Sequence, residues 1–237
     1  QMGIESVMVS LSDESTKSLS EECIREIEEI DGVKRAIPLM AQVTRIDGAM
    51  GNSKVMLWGT NNRADEILTF EILHGRLLNM SDVVGGNNIC VVDEELAKNT
   101  YGRSNIIGKK VRFLINGAYE EFEVIGVVKS GMNTLQGLIS EIIPYFAYVP
   151  YTTVQSLMGR TSVDEIAVKL SDYSKSEQIS EEIKVLLNEK LATENAIGVN
   201  DLLKQKNGET SVGLKKVPTF ASANEKQLGC RRDSSAG

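Results

Sequence analysis

Residues 70–128 read FEILHGRLLNMSDVVGGNNICVVDEELAKNTYGRSNIIGKKVRFLINGAYEEFEVIGVV, and their order of turn, strand, helix and hairpin decides the fold. The pair Gly75-Arg76 and an acidic turn residue, Asp82, lead into Ile89-Cys90-Val91-Val92, an apolar run of buried-strand type. Asp93-Glu94-Glu95 then opens a short helix. An acceptor caps its first turn, and two further carboxylates suit the positive end of the helix. Leu96, Ala97 and Tyr101 form its apolar side and Gly102 ends it. After Ile107-Gly108-Lys109, residues Lys109 to Ile115 alternate, with Val111, Phe113 and Ile115 on one face. Asn116-Gly117 is a two-residue hairpin turn. Glu121 to Val128 returns with Phe122, Val124 and Gly126 on the matching face.

Both flanks read as β-α-β. On the N-terminal side, Ile4 to Ser10 is a candidate strand, and Ser18-Leu19-Ser20-Glu21 has the form of a capping box. Cys23, Ile24, Ile27 and Ile30 recur at helical spacing behind it, and the helix is expected to stop at Asp31-Gly32. Val33 to Ile46 and Lys54 to Gly59 read as strands, and Arg63 to Leu68 as one or two helical turns. On the C-terminal side, Tyr151 to Met158 reads as a short helix and Val163 to Leu170 as a strand. Ser174-Lys175-Ser176-Glu177 is a second capping-box pattern, ahead of an amphipathic helix through Ile179, Ile183, Leu187 and Leu191. Ala196 to Val199 is a short last strand. The fold class is therefore α+β: a split βαβ subdomain over 4–59 and 141–205, with an inserted, mostly β subdomain over 60–140. Residues 207–237 lack any period, which predicts disorder or a tail of vector origin.

Composition excludes several classes. The chain has 237 residues, 41% hydrophobic and 25% charged, with a net charge of -7, so no basic face for nucleic acid is expected. Its three cysteines, Cys23, Cys90 and Cys230, have no metal-site spacing. The single histidine, His74, has no Gly-x-Ser-x-Gly elbow to serve, and no Gly-x-x-x-x-Gly-Lys-Ser/Thr loop is present. The many acidic pairs fall on expected helix starts and solvent faces. Arg76 is expected to pair with Asp82 or to hold backbone carbonyls. The segment Ser130 to Ser140 reads as a mobile loop whose Met132, Leu135, Leu138 and Ile139 are candidates for partner or substrate contact, or for packing on their own domain.

The landmarks Gly75, Arg76, Asp82, Gly102, Gly108 and Gly126, taken in order with Val91-Val92, Phe122-x-Val124-Ile125-Gly126-Val127 and Val149-Pro150-Tyr151, carry a resemblance. Together they resemble the extracytoplasmic domain of MacB-type ABC transporter permeases, within the FtsX superfamily, across about residues 4 to 205. That resemblance implies a porter-like α+β subdomain, split in sequence around a mostly β insertion, between two transmembrane helices. It implies an extracytoplasmic position at the cell membrane and no chemistry or cofactor in the domain itself, ATP being hydrolysed by a separate cytoplasmic domain or subunit. The expected partners are a second permease copy, that ATPase and a peptide or protein substrate. The expected role is to couple ATP-driven movement to export or extraction of a peptide, antibiotic, toxin or lipoprotein. The alternative is a binding or regulatory module that senses a peptide or controls a cell-wall enzyme.

Overall fold

The computed structural model describes residues 6–12, 14–48, 51–129 and 145–201. Its first and last elements form one unit. These are β1 (Ser6–Leu11), α1 (Glu21–Glu28) and β2 (Val33–Gly48), then β9 (Glu165–Leu170), α5 (Ser176–Leu191) and β10 (Ile197–Asp201). The strands lie in the order β10-β1-β9-β2 with every neighbour antiparallel, a ferredoxin-like split βαβ arrangement. Cys23, Ile24 and Ile27 of α1 and Ile179, Ile183 and Leu187 of α5 bury their shared stripe against Val7, Val9, Ile166 and Val168.

Two expected caps are placed differently. The N-cap of α1 is Ser20, not Ser18, and its hydroxyl accepts from the Cys23 N–H. The helix ends at Glu28, a few residues before Asp31-Gly32. At α5 no capping box forms. Asp172 instead caps a 3-10 turn, Tyr173–Lys175, that runs straight into the helix, accepting from the Ser174 N–H at 3.0 Å and its hydroxyl at 2.7 Å. The nearer acceptor wins because Asx-type bonds close over two residues.

The remaining elements are β3 (Gly51–Thr60), β4 (Ile72–Gly75), α2 (Met80–Gly85), β5 (Ile89–Asp93), α3 (Glu94–Tyr101), β6 (Lys110–Ile115), β7 (Ala118–Val128), β8 (Tyr145–Pro150) and α4 (Tyr151–Met158). Their strands pair in a ring: β2 with β3, β3 with β8, β8 with β5, β5 with β7, β7 with β6, and β6 back to β2 where Ile46 meets Phe113. Asn116 and Gly117 both take positive φ in the β6–β7 turn, as a right-twisted two-residue hairpin requires. Alternate residues fill the ring. Phe113 and Phe122 meet edge-on at 5.5 Å among Ile46, Leu57, Val92 and Val149. Burying each phenyl contributes roughly 2–3 kcal/mol. The outer sheet face, with Met56, Trp58, Phe146 and Tyr148, packs under Ala64, Ile67, Leu68 and Leu78.

The two units share β2. Its residues through Leu39 ladder with β9, and those from Met40 onward ladder with β3. Asp164 clasps the changeover: its N–H donates to the Leu39 carbonyl at 3.1 Å, its carboxylate accepts from the Ala41 N–H at 3.0 Å, and Arg160 pairs with it at 2.6 Å. By hydrogen bonding β3 and β8 therefore belong to the ring, although the sequence grouped them with the split unit. Both strands are apolar on both faces, so their patterns do not mark which ladder they join.

Candidate functional site

The landmarks of the central stretch converge on the corner where β4 leaves β7. Gly75 sits opposite Gly126, and both approach the facing backbone too closely for a side chain. A Cβ on Gly75 would run into the Ile125 carbonyl oxygen, and one on Gly126 into the Arg76 carbonyl oxygen. Gly75 also has φ +72°. The chain turns here, and the Arg76 N–H donates to the Ile125 carbonyl at 3.0 Å. Gly102 ends α3 in a left-handed conformation, and the Gly108 N–H donates to Val124 at 2.8 Å, setting β6 beside β7.

Both expected roles of Arg76 are present. Its guanidinium grips Asp82 with two bonds, at 2.5 and 3.1 Å, and also donates to the Leu77 carbonyl at 3.0 Å. Asp82, 5% exposed, closes a capping box on α2 with Asn79, accepting from its N–H at 2.8 Å and donating its own N–H at 3.0 Å. Burial works against the Asp82 charge, but the Arg76 hydrogen bond, the Asn79 N–H and the nearby positive charge outweigh it and hold its pKa below the ordinary carboxylate range. From the sequence Asp82 reads as a turn residue, although the Asn79-x-x-Asp82 spacing carries the capping signal.

A second anchor was seen only in part. Asp93, 0% exposed, is the expected cap of α3, accepting from the Leu96 N–H at 2.7 Å. Its other oxygen accepts from the Phe146 N–H at 2.7 Å, tying β5 and α3 to β8. Burial pushes its pKa up to about 7, against the pull of those amides. Glu165, at the start of β9, is also raised to about 7 by burial and by the Asp164 charge. No local pattern announces these positions, because the groups that bury them are distant in sequence.

His74 lies on β4 with its Nε2 3.2 Å from the Ser104 hydroxyl. Among the described residues no group of three or more histidine, cysteine or acidic side chains could hold a metal ion. Met132, Leu135, Leu138 and Ile139 lie outside the described residues, as does Cys230.

Comparison with known proteins places this geometry. A family model described as "MacB-like periplasmic core domain" matches residues 3–186. The chain is 22% identical over 200 residues to an uncharacterized ABC transporter permease, YknZ, of Bacillus subtilis, covering 84% of this chain and 47% of the relative. It is 33% identical over 118 residues to the macrolide export ATP-binding/permease protein MacB of Campylobacter jejuni, covering 48% of this chain and 17% of that protein. The chain thus spans less than half the length of these curated relatives. Among solved structures, the extracellular domain of YknZ superimposes with a TM-score of 0.68 at 21% identity, covering 83% of this chain and all of the other. The periplasmic region of MacB from Actinobacillus actinomycetemcomitans gives 0.69 at 20% identity, with 89% and 95% covered. The chain belongs to the MacB-like periplasmic core domain family, and is an extracytoplasmic domain of an ABC transporter permease.

Proposed function

We propose that this domain is a non-catalytic coupling unit, carrying ATP-driven motion of membrane helices to a substrate outside the membrane. The pairing of β1 with β10 carries the reading: Val7 faces Asp201, so the first and last described strands lie side by side. A segment entering ahead of β1 and one leaving after β10 would meet the domain at one place, as two successive membrane helices would require. The shared strand β2 supports it. Its 16 residues run through both ladders, a length of about 50 Å, and both apolar cores continue from one unit into the other. A displacement at the ferredoxin-like end would then move the ring as one body. The partners in this reading are a second permease copy and a cytoplasmic ATPase, and the cargo is a peptide, antibiotic, toxin or lipoprotein.

The test uses the full-length permease with its ATPase. Flexible Gly/Ser insertions of about six residues, placed before β1 and after β10, lengthen the connection without touching the domain. Coupling by a rigid body predicts that ATP hydrolysis continues while protection of cells against a panel of peptides and antibiotics is lost. Undiminished protection with both insertions in place overturns the coupling role. The alternative, a binding or regulatory module, is favoured by one feature: Met80 and Val84 lie four apart on α2 with 57% and 77% of their surface exposed. Binding by that face tolerates the insertions and fails when Met80 and Val84 are replaced by serine.

A further inference from the structure

Where the segment after β3 crosses the outer sheet face, a partly enclosed pit is lined by Thr60, Asp65, Phe70, Leu78, Val91 and Tyr148, among others. Its free volume is about 20 Å³, room for one small group, since a single water needs roughly 10–15 Å³. The walls are apolar and aromatic, with Phe70 meeting Tyr148 edge-on at 5.0 Å. Four polar residues, Thr60, Asn61, Asn62 and Asp65, break that surface. Thr60 is 1% exposed, and its hydroxyl is buried with no hydrogen-bond partner among the described residues. Asp65 stands exposed at the rim and, among the described residues, makes no ion pair or hydrogen bond. Trp58, two residues before Thr60 on the same side of β3, also buries an indole N–H without a partner among the described residues.

We propose that this pit binds the amino-terminal residue of a peptide, holding a small apolar side chain against the aromatic walls and the α-ammonium at Asp65. The match is one of charge placement. An apolar body with a positive charge at its entrance suits an apolar floor with a carboxylate at its rim. A lysine side chain would carry its ammonium into the floor, where desolvation is costly and no acid waits. A carboxylate or phosphate ligand would meet Asp65 as a like charge. The buried Thr60 hydroxyl supplies a donor for the bound residue's carbonyl, a bond that the aromatic surroundings strengthen. An α-ammonium titrates near pH 8, so binding weakens as pH rises through that range. The site stands apart from the coupling role, and its test needs no membrane.

Trp58 is the chain's only tryptophan, so its indole N–H gives a single resolved signal beside the pit. The ¹⁵N-labelled full chain is titrated with Val-Gly-Gly-amide and with the N-acetylated form of the same peptide. The free amine is expected to shift the Trp58 indole and the Thr60 and Asp65 amides saturably, and the acetylated peptide to bind at least about tenfold more weakly, as loss of a charged hydrogen bond implies. Asp65→Asn, on the surface, should weaken the free peptide about tenfold and leave the acetylated one unchanged. Equal shifts for the two peptides, or no shift at any concentration of either, overturn the proposal.

Discussion

The Arg76–Asp82 corner and the Asp93 junction are built from the same parts and anchored by different physics. Each places a buried carboxylate at the start of a short helix and ties a strand to it. At the corner the carboxylate keeps its charge because a bidentate guanidinium and a capping amide stabilise the ionised form. At the junction no cation among the described residues is hydrogen-bonded to the carboxylate; backbone amides are its partners, those of Leu96 and Phe146 coming from separate elements, and burial raises its pKa to about 7. The corner is a charge pair with half its arginine in water, and the junction is a hydrogen-bonded knot in the core. Salt and pH should separate them.

The largest effect is expected at the junction. Asp93→Ala leaves the Leu96 and Phe146 N–H groups buried without acceptors and should cost roughly 3–4 kcal/mol. Urea unfolding of the full chain measures it, and thermal unfolding should show a fall in Tm of about 10 °C. A loss under about 1 kcal/mol would mean that other acceptors take over both donors. Next comes the backbone crossing beside Arg76. Gly75→Ala forces a methyl into the Ile125 carbonyl as well as straining a positive φ, and should cost roughly 2–3 kcal/mol. Gly102→Ala meets nothing within 4 Å and should cost only about 1 kcal/mol. Equal losses at the two glycines would show that conformation alone, not close approach, fixes the corner.

These expectations also mark what was legible in the sequence. The hairpin around Asn116-Gly117, the strand at Ile89–Asp93 and the helix ending at Gly102 could be read locally, because turn chemistry and apolar period agree there. The split α+β plan followed from the matching β-α-β flanks. Strand β4 and helix α2 were missed because each is too short to show a period. The ring's closure at Ile46 and Phe113 was out of reach, since it joins residues far apart through a single pair. At the site, Arg76 and Asp82 stand out as landmarks of the family resemblance, with their pairing one of two expected roles. The second bond of Asp93 to Phe146 and the pit beside Trp58 depend on tertiary placement that no window contains.

The pH response sharpens the same contrast. Asp93 and Glu165 have folded pKa values of about 7, above those of an unfolded chain near 4. Between those values the folded protein binds more protons, so stability falls as pH rises from 4 to 7. The Asp82 shift has the opposite sign: its contribution is present above pH 4 and is lost as pH falls through its lowered folded pKa. The chain should therefore be more stable at pH 5 than at pH 8, by on the order of 5 kcal/mol if both shifts are fully expressed. Asp93→Asn should flatten part of that slope, as urea unfolding at the two pH values would show. A variant with the parent's slope would assign the whole response to Glu165 or elsewhere.

The smallest effect is expected at the arginine itself. Arg76→Met keeps the aliphatic stem, removes the guanidinium and leaves Asp82 with the Asn79 N–H and the start of α2. Because Arg76 is half exposed, solvent screens much of the pair, and the cost should be about 1 kcal/mol. It should shrink in 1 M salt, where the Debye length falls to about 3 Å, whereas the Asp93→Ala loss should not. Arg76→Lys should recover only part of it, since an ammonium cannot make the two-pronged grip. A loss near that of Asp93→Ala, unchanged by salt, would mean that Arg76 acts through its bond to the Leu77 carbonyl. The corner would then be held as the junction is, by hydrogen bonds between elements, with the charge of Asp82 a consequence of the geometry and not its cause.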